Sequence, residues 1–170
     1  IRSEKRTALK NVSYYLMSSN DDAGLKAGQY WTSLDAFPEY KPTSYYLTVD
    51  SNSGAKALSM SAPDANGGQT SYKVDPSNPI TGNGGANLPP SVGGTISCGP
   101  LDQADIDNSG REDLLLFDLP AVDEELVLTG PMDAELFVSS TAVDTDFMVR
   151  ISDVWNDKDG TVRLLQDNGM

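Results

Sequence analysis

The sequence predicts an all-β fold, either a sandwich or a barrel built from many short strands. Residues 126–154 alternate apolar and polar side chains with the period of two that is typical of strands with one buried face. Runs rich in Val, Ile, Tyr and Phe recur along the chain and are separated by Gly, Pro, Asn and Ser. No segment has the periodicity of a helix longer than one or two turns.

The predicted strands are short and follow one another along the whole chain. They cover residues 12–17, 45–49, 58–61, 70–74, 114–117, 126–128, 134–139, 147–152 and 161–165. Residues 76–94 consist mostly of Pro, Gly, Asn and Ser, which predicts a long loop. Two segments, 31–34 and 101–106, are candidates for a single helical turn.

The length of 170 residues fits about one domain. Residues 1–11 are largely polar and basic, and they begin with neither Met nor the apolar core of a signal peptide. They are predicted to be a linker from an upstream domain, as if the chain had been cut from a longer one. Residues 12–170 are predicted to form the sandwich.

The absence of histidine excludes a large class of enzymes for this chain. A Ser-His-Asp or Cys-His catalytic unit needs an imidazole to accept and return a proton near neutral pH. The sequence contains no histidine, so the 170 residues cannot form a complete hydrolase of the triad type. Zinc sites that use histidine are excluded for the same reason.

Charge and cysteine content limit the expected partners. The formal net charge of −13 repels nucleic acid and anionic membrane surfaces, so neither is an expected partner. No apolar run reaches the roughly 18 residues needed to span a bilayer. The single cysteine, Cys98, cannot form an internal disulfide and is compatible with both the cytosol and export. Without histidine, Cys98 is predicted to be a small packed residue, not a nucleophile.

Residues 105–110 resemble the first half of a calcium-binding loop. Asp105, Asp107 and Ser109 place oxygen ligands at alternate positions, and Gly110 occupies the sixth. The twelfth position, which requires a bidentate carboxylate, is Leu116. We therefore expect a turn held by its own polar side chains, with no metal, and keep calcium at Asp105, Asp107 and Ser109 as the alternative.

Two further groups of charged residues invite a chemical interpretation. Asp144 and Asp146 are two apart and share one face of a strand, and paired carboxylates can act as acid and base when their pKa values differ. No cleft or partner is evident beside them, so turn hydrogen bonds or an ion pair, for example with Arg150, is the preferred interpretation. Arg111 is followed by Glu112 and Asp113, which are expected to form a buried ion pair with it at the entrance of a strand.

Aromatic residues support a rival hypothesis. Tyr and Trp occur at positions 14, 15, 30, 31, 45 and 46. Neighbouring residues of a strand point to opposite faces, so about half of these rings belong in a core whatever the function. Exposed rings form a stacking platform for sugars. The alternative function is therefore a free-standing carbohydrate-binding jelly-roll module.

An ordered series of short motifs resembles a known family, and their order and spacing carry the resemblance. The motifs are 12–17 (VSYYLM), Trp31, 37–38 (FP), 45–47 (YYL), Tyr72, 75–79 (DPSNP), 93–95 (GGT), 99–103 (GPLDQ), 111–113 (RED), 126–130 (LVLTG), 137–140 (FVSS), 144–147 (DTDF) and 153–154 (DV). Together they resemble the C-terminal domain of X-Pro dipeptidyl-peptidase and cocaine-esterase-like (CocE/NonD) serine hydrolases.

The resemblance implies a galactose-binding-like jelly-roll β-sandwich that follows an α/β-hydrolase catalytic domain and a helical cap. The catalytic Ser, Asp and His would lie in that upstream domain, which is the expected partner, so this chain is expected to hold no catalytic residue and no cofactor. Ile96 and Ser97 match the loop that leans toward the substrate pocket in the family. The resemblance also implies further strands after residue 170, so that 12–170 would lack the last strands. It is compatible with a homo-oligomer.

Overall fold

The computed structural model describes residues 10–18, 28–64, 68–85, 99–124, 126–155 and 160–169. The strands are β1 (Val12–Leu16), β2 (Tyr30–Leu34), β3 (Tyr46–Val49), β4 (Lys56–Ser59), β5 (Met148–Val154) and β6 (Val162–Gly169), and the helix is α1 (Ala104–Asp107). The strands form three antiparallel pairs, β1–β2, β3–β4 and β5–β6. This confirms the all-β fold class. The jelly-roll order of strands stays a prediction.

The chain divides into two compact units. Unit 1 comprises residues 1–43 and 121–133, and unit 2 comprises residues 44–120 and 134–170. Unit 1 contains the β1–β2 pair, and unit 2 contains the other two pairs and α1. The predicted boundary between a linker and a sandwich after residue 11 stays a prediction.

The β1–β2 pair of unit 1 has a regular register. Ser13 lies opposite Ser33 and Tyr15 opposite Trp31. Side chains of β1 alternate between half-buried and exposed, as the two faces of a pleated strand require. Residues 31–34 lie in β2, so the predicted helical turn is wrong there. A lone turn has no cross-strand partners, whereas β1 offers Tyr and Val contacts along its length.

The β5–β6 pair of unit 2 contains the buried core. Val162 and Leu164 point to the same side of β6 and are buried, with Leu164 only 3% exposed. Trp155, just after β5, is the third buried hydrophobic residue among the described ones. The Arg163 guanidinium lies 4.8 Å from the centroid of the Trp155 ring. The register shifts between Ile151 and Ser152, a β-bulge that locally increases strand twist.

Two glycines join their backbones at the base of segment 86–98. Gly85 and Gly99 exchange two backbone hydrogen bonds, each of 2.8 Å. The neighbouring Gly84 has a φ of +83°, and a Cβ there would lie 2.5 Å from the Gly99 carbonyl oxygen. Only glycine fits this position, because both the backbone conformation and the close approach exclude a side chain.

Several predicted strands are not formed. Residues 70–74, 114–117, 126–128 and 134–139 form no strand in the structure. Alternation indicates which side chains share a face, but it does not indicate which segment supplies the hydrogen-bonded ladder. The nearest approach to a sheet is Asp118, which forms a parallel bridge with Ala57.

The other predicted elements overlap with observed ones. Predicted strands 12–17, 45–49, 58–61, 147–152 and 161–165 overlap with β1, β3, β4, β5 and β6, and predicted turn 101–106 overlaps with α1. These are the segments in which a neighbouring strand or side chain completes the hydrogen bonding that the local pattern requires.

Candidate functional site

The densest polar cluster in the described part of the chain lies where α1 meets β5 and β6. We call its four residues, Asp102, Gln103, Asp107 and Arg150, the polar crossing. Backbone contacts bring the segments together: the Gln103 amide donates to the Val162 carbonyl at 2.8 Å, and Asp102 forms an antiparallel bridge with Arg163. The segment before α1 is therefore a short second neighbour of β6, on the side away from β5.

Gln103 is the most deeply buried residue of the polar crossing. Its side chain is fully buried, with the residue 1% exposed. Its Nε2 donates to the Asn83 carbonyl at 2.7 Å and to the Leu101 carbonyl at 3.0 Å. Its Oε1 accepts a hydrogen bond of 3.0 Å from Arg150 Nη1. A buried amide is tolerated when its donors and acceptor are all paired, and here they are.

Arg150 connects β5 to α1. Its Nη1 binds Gln103, and its Nη2 donates to the Asp107 carboxylate in an ion pair. The Arg150 and Asp107 side chains are 22% and 13% exposed. Charge-assisted bonds of this kind are stronger than neutral ones because little water competes for the partners. Arg150 therefore holds the helical turn against the strand.

Asp102 fixes the start of α1 and the start of β6 with one carboxylate oxygen. Its Oδ1 accepts the Val162 amide at 2.9 Å and the Ala104 amide at 3.0 Å. These two hydrogen bonds, first that from Val162, hold the pKa of the Asp102 carboxyl below its usual value, because they stabilise the charged form. The motif at 99–103 places Asp and Gln directly before the helix, where such contacts can form.

The polar crossing has a structural role, because it connects α1 to the β5–β6 pair. Its charged groups pair with each other and with backbone groups, and none of its four residues is a nucleophile beside a base. Acyl transfer requires a nucleophile activated by such a base. The arrangement instead joins α1, β5 and β6 by bonds that depend on one another, as expected for a buried polar network.

A second polar cluster surrounds Arg111. Its Nε and Nη2 donate to the two carboxylate oxygens of Asp113 at 2.8 Å and 2.7 Å. The ion pair expected of Arg111 is formed with Asp113 and not with Glu112, and Arg111 Nη2 also donates to the Asn78 carbonyl at 2.5 Å. The hydrogen bonds from Arg111 lower the pKa of the Asp113 carboxyl. Arg111 thus attaches the loop around Asn78 to the segment that follows α1.

The loop that Arg111 holds has its own internal turn. The Asp75 carboxylate accepts the Ser77 hydroxyl at 2.7 Å and the Ser77 amide at 3.0 Å. These bonds lower the pKa of the Asp75 carboxyl. This is the Asx-turn chemistry expected of the DPSNP motif.

The candidate calcium ligands have other partners or face solvent. Asp107 pairs with Arg150, and the Ser109 hydroxyl donates to the Ile106 carbonyl at 2.6 Å. Asp105 is exposed on the same helical turn. Among the described residues no group of three or more His, Cys, Asp or Glu could hold a metal ion. Calcium binding at these residues stays an untested alternative.

The remaining sequence candidates are not brought together. Asp144 and Asp146 are exposed, and Arg150 pairs with Asp107, so the suggested ion pair with Arg150 is not the one formed. The proposed pocket-wall residues Ile96 and Ser97 lie outside the described ranges, and so does Cys98.

Two aromatic residues of unit 1, Tyr15 and Trp31, lie on one exposed face of the β1–β2 pair, whereas Tyr14 and Tyr30 lie on the opposite face. The Tyr15 and Trp31 rings meet edge to face, with centroids 5.7 Å apart and planes at 64°. Next to them, the Ser13 and Ser33 hydroxyl oxygens are 3.1 Å apart. We call Tyr15, Trp31, Ser13 and Ser33 the aromatic face. Trp31 is 73% exposed and Tyr15 44%.

The sequence indicated the aromatic residues and an ion pair at Arg111, but it indicated no role for Asp102 and Gln103. The available signal was the GPLDQ motif, where polar residues directly precede a helical candidate. Their partners, Arg150 and Val162, lie far along the chain, so local spacing does not reveal them.

No helix in the described ranges is long and apolar enough to cross a membrane.

The fold and site define a β-sheet domain whose polar residues are structural. The family described as the X-Pro dipeptidyl-peptidase C-terminal non-catalytic domain matches residues 4–170. The chain belongs to this family.

A curated relative supports the same assignment. The chain is 33% identical over 142 residues to the cocaine esterase of Rhodococcus sp. (strain MB1 Bresler). The match covers 75% of this chain and 23% of that enzyme, so the chain corresponds to about a quarter of the esterase. No solved structure gives a significant match.

Proposed function

We propose that this chain is the C-terminal part of an α/β-hydrolase-type serine hydrolase, where it packs on the catalytic domain and walls one side of the active-site cleft. The observation that carries the proposal is the family match over residues 4–170 in a chain without histidine. A domain that cannot form a triad contributes by binding, positioning and excluding water.

The parent reaction in this proposal is acyl transfer to water through an acyl-serine intermediate. The catalytic domain supplies the nucleophile, the base and the oxyanion hole. The substrate is either a peptide with Pro at its second position or a small acyl ester or amide. The family description favours the peptide, and the esterase relative favours the ester.

The contribution of this chain is a rigid support for the cleft. The polar crossing joins α1 to the β5–β6 pair, and the Arg111 cluster joins the loop around Asn78 to the segment that follows α1. Gly85 and Gly99 hold the two ends of the segment that contains Ile96 and Ser97. A wall held in this way keeps water out and leaves the substrate in a fixed orientation, which lowers the barrier to reaction.

The first experiment compares the 170-residue chain with the full-length polypeptide that contains it. A fluorophosphonate probe is expected to label a serine in the full-length protein only, and only that protein is expected to hydrolyse Ala-Pro anilide or aryl esters. Serine labelling of the 170-residue chain would contradict the non-catalytic assignment. A full-length protein with neither labelling nor hydrolysis would contradict the parent reaction.

The cleft wall is tested in the full-length protein with Ile96→Ala. Loss of one apolar contact to substrate is expected to raise KM about tenfold with little change in kcat. The matched control is Ile80→Ala, which removes the same side chain from outside segment 86–98. Equal KM values for both variants and the parent protein would remove Ile96 from the wall.

A second candidate function is carbohydrate binding, which the exposed Tyr15–Trp31 ring pair favours. Binding of the chain to a glycan array, lost in Trp31→Ala and kept in the control Tyr72→Ala, would support it. No binding by the parent chain would exclude this function for the glycans on the array.

A further inference from the structure

The two units differ in how they bury hydrophobic side chains. The three buried hydrophobic residues of the described chain, Trp155, Val162 and Leu164, all lie in unit 2. The described part of unit 1 contains none, although it is rich in aromatic residues. Burial of apolar surface is the main force that stabilises a compact unit. Unit 1 therefore needs a cover that its own described residues do not provide.

Two exposed rings of unit 1, Tyr15 and Trp31, lie on the aromatic face, and a third, Tyr30, lies on the opposite face of the pair. Tyr15 and Trp31 are directly opposite each other in the register, so their side chains project from the same side of the pair. Phe37, 80% exposed, follows three residues after the end of β2. The ring pair of this face is therefore Tyr15 and Trp31, which meet edge to face.

Polar groups border these rings. The Ser13 and Ser33 hydroxyls lie next along the same face, and Lys10 Nζ pairs with Asp35 Oδ2 at 2.7 Å beyond them. The chemistry is that of a protein interface, with an aromatic centre and a polar rim. Burial of one Phe, Tyr or Trp side chain removes about 150–250 Å² of accessible surface from water. Each partner in a standard interface buries roughly 800 Å², so the two rings of the aromatic face would supply a substantial part of that area.

We propose that the aromatic face is the surface through which this chain docks on the catalytic part of its own polypeptide. The inference deepens the proposed function and rests on it. The family is described as C-terminal and non-catalytic, so its members carry a catalytic part earlier in sequence. The match covers 23% of the esterase relative, which leaves a large remainder to supply the covering surface. Residues 10–43, which carry the face, are those of unit 1 nearest in sequence to that part.

The inference can be tested by hydroxyl-radical footprinting of the 170-residue chain and the full-length protein. Tyr15 and Trp31 are expected to be oxidised at least about five times more slowly in the full-length protein, because docking removes them from water. Met60 and Phe137, exposed residues of unit 2, serve as internal references and are expected to react at similar rates in both. Trp31 oxidised equally in both proteins would overturn the inference.

If something other than the catalytic part covers the aromatic face, the oxidation rates differ from those expected, and each such result overturns the inference. Slow oxidation of Trp31 in the 170-residue chain at every concentration places its cover within this chain. Protection that increases with concentration places a second copy on the face. Protection of Met60 and Phe137 but not of Trp31 in the full-length protein places the docking surface on unit 2.

A charge placed on the face provides a second test in the full-length protein. Trp31→Glu is expected to split thermal unfolding into two transitions, since a buried carboxylate without a partner disfavours docking. The matched control Phe137→Glu is expected to keep one transition, and a single transition in both would contradict the inference. Fluorophosphonate labelling is measured on the same samples. If labelling is absent from the parent protein, the proposed function fails. If labelling is present and Trp31 stays accessible, only the docking surface fails.

Discussion

Unit 1 and unit 2 are both built on antiparallel strand pairs, but they are stabilised in different ways. In unit 2 the β5–β6 pair buries Val162 and Leu164 and is fastened to α1 through Gln103 and Arg150. In unit 1 the β1–β2 pair exposes Tyr15 and Trp31, and its long-range polar contacts lie at exposed residues such as Lys10 and Asp35. Strand pairing alone therefore does not make a stable unit. What differs, among the described residues, is whether apolar side chains of the strand pair are buried.

Replacing one leucine in each unit is expected to give the largest difference in the free energy of unfolding between unit 1 and unit 2. Leu164→Ala is expected to lower the free energy of unfolding by about 3 kcal/mol, because it leaves a cavity at a buried position. Leu16→Ala, at a half-buried position of β1, is expected to cost about 1 kcal/mol. Urea unfolding of the 170-residue chain measures both. Equal losses would mean that unit 1 has as much core as unit 2.

The polar crossing should contribute nearly as much as the core. Gln103→Ala removes the donor to the Asn83 carbonyl and one of the two partners of Arg150, which is expected to cost about 2 kcal/mol. Asp105→Ala, on the exposed side of the same helical turn, is the matched control and is expected to stay within about 0.5 kcal/mol. If Gln103→Ala unfolds like the control, the network does not fasten α1 to the sheet.

One residue of unit 2 is expected to stabilise the chain when it is replaced. The Ser152 hydroxyl is buried at the β-bulge and has no hydrogen-bond partner. Because a buried hydroxyl without a partner loses its bonds to water, Ser152→Ala is expected to raise the free energy of unfolding by about 1 kcal/mol. Ser13→Ala, which removes an exposed hydroxyl of unit 1, serves as the control. A destabilised Ser152→Ala would mean that the hydroxyl is bonded in solution.

The smallest expected effect is on the loss of folding stability at acidic pH. The pKa of Asp102 is lowered in the folded chain by hydrogen bonds from Val162 and Ala104, whereas an unfolded Asp titrates near about 3.9. Its contribution to stability is therefore complete above that pH and is lost as the pH falls through the lower folded value. Asp102→Asn, which keeps an acceptor oxygen, is expected to flatten the loss of stability below about pH 4.

The measurement for this prediction is the urea midpoint between pH 2 and pH 7, with Asp105→Asn as the matched control. Parallel curves for the parent chain and Asp102→Asn would show that Asp102 does not contribute to acid unfolding. The same outcome would remove the link between its two amide contacts and the stability of unit 2.

The sequence predicted the elements whose partners follow a simple local pattern. Alternation located β5, a short run after a turn located β6, and the neighbouring charges indicated an ion pair of Arg111 with Glu112 or Asp113. Alternation also predicted strands at 126–128 and 134–139, where Phe137 is 95% exposed and no ladder forms. The pattern was the same in both cases. The difference is whether a neighbouring strand is available to form the hydrogen-bonded ladder, and this depends on the fold of the whole chain.

The contacts of the polar crossing could not be predicted from local patterns in the sequence. Gln103 and Arg150 are 47 positions apart, and Asp102 and Val162 are 60 apart. A glutamine is ordinarily a surface residue, so nothing in its type predicts full burial. Its burial follows from the partners that converge on it, and these become visible only in three dimensions.

The Gly85–Gly99 contact has a consequence for the length of the segment between these glycines. The two backbones are joined in both directions, so the sheet of unit 2 meets the same two end points whatever lies between them. Loop-closure entropy rises slowly, by about 0.6 kcal/mol for each doubling of length. Insertions and deletions between these glycines are therefore inexpensive in stability. We therefore expect variants of this chain with a longer or shorter segment 86–98 to keep the stability of unit 2.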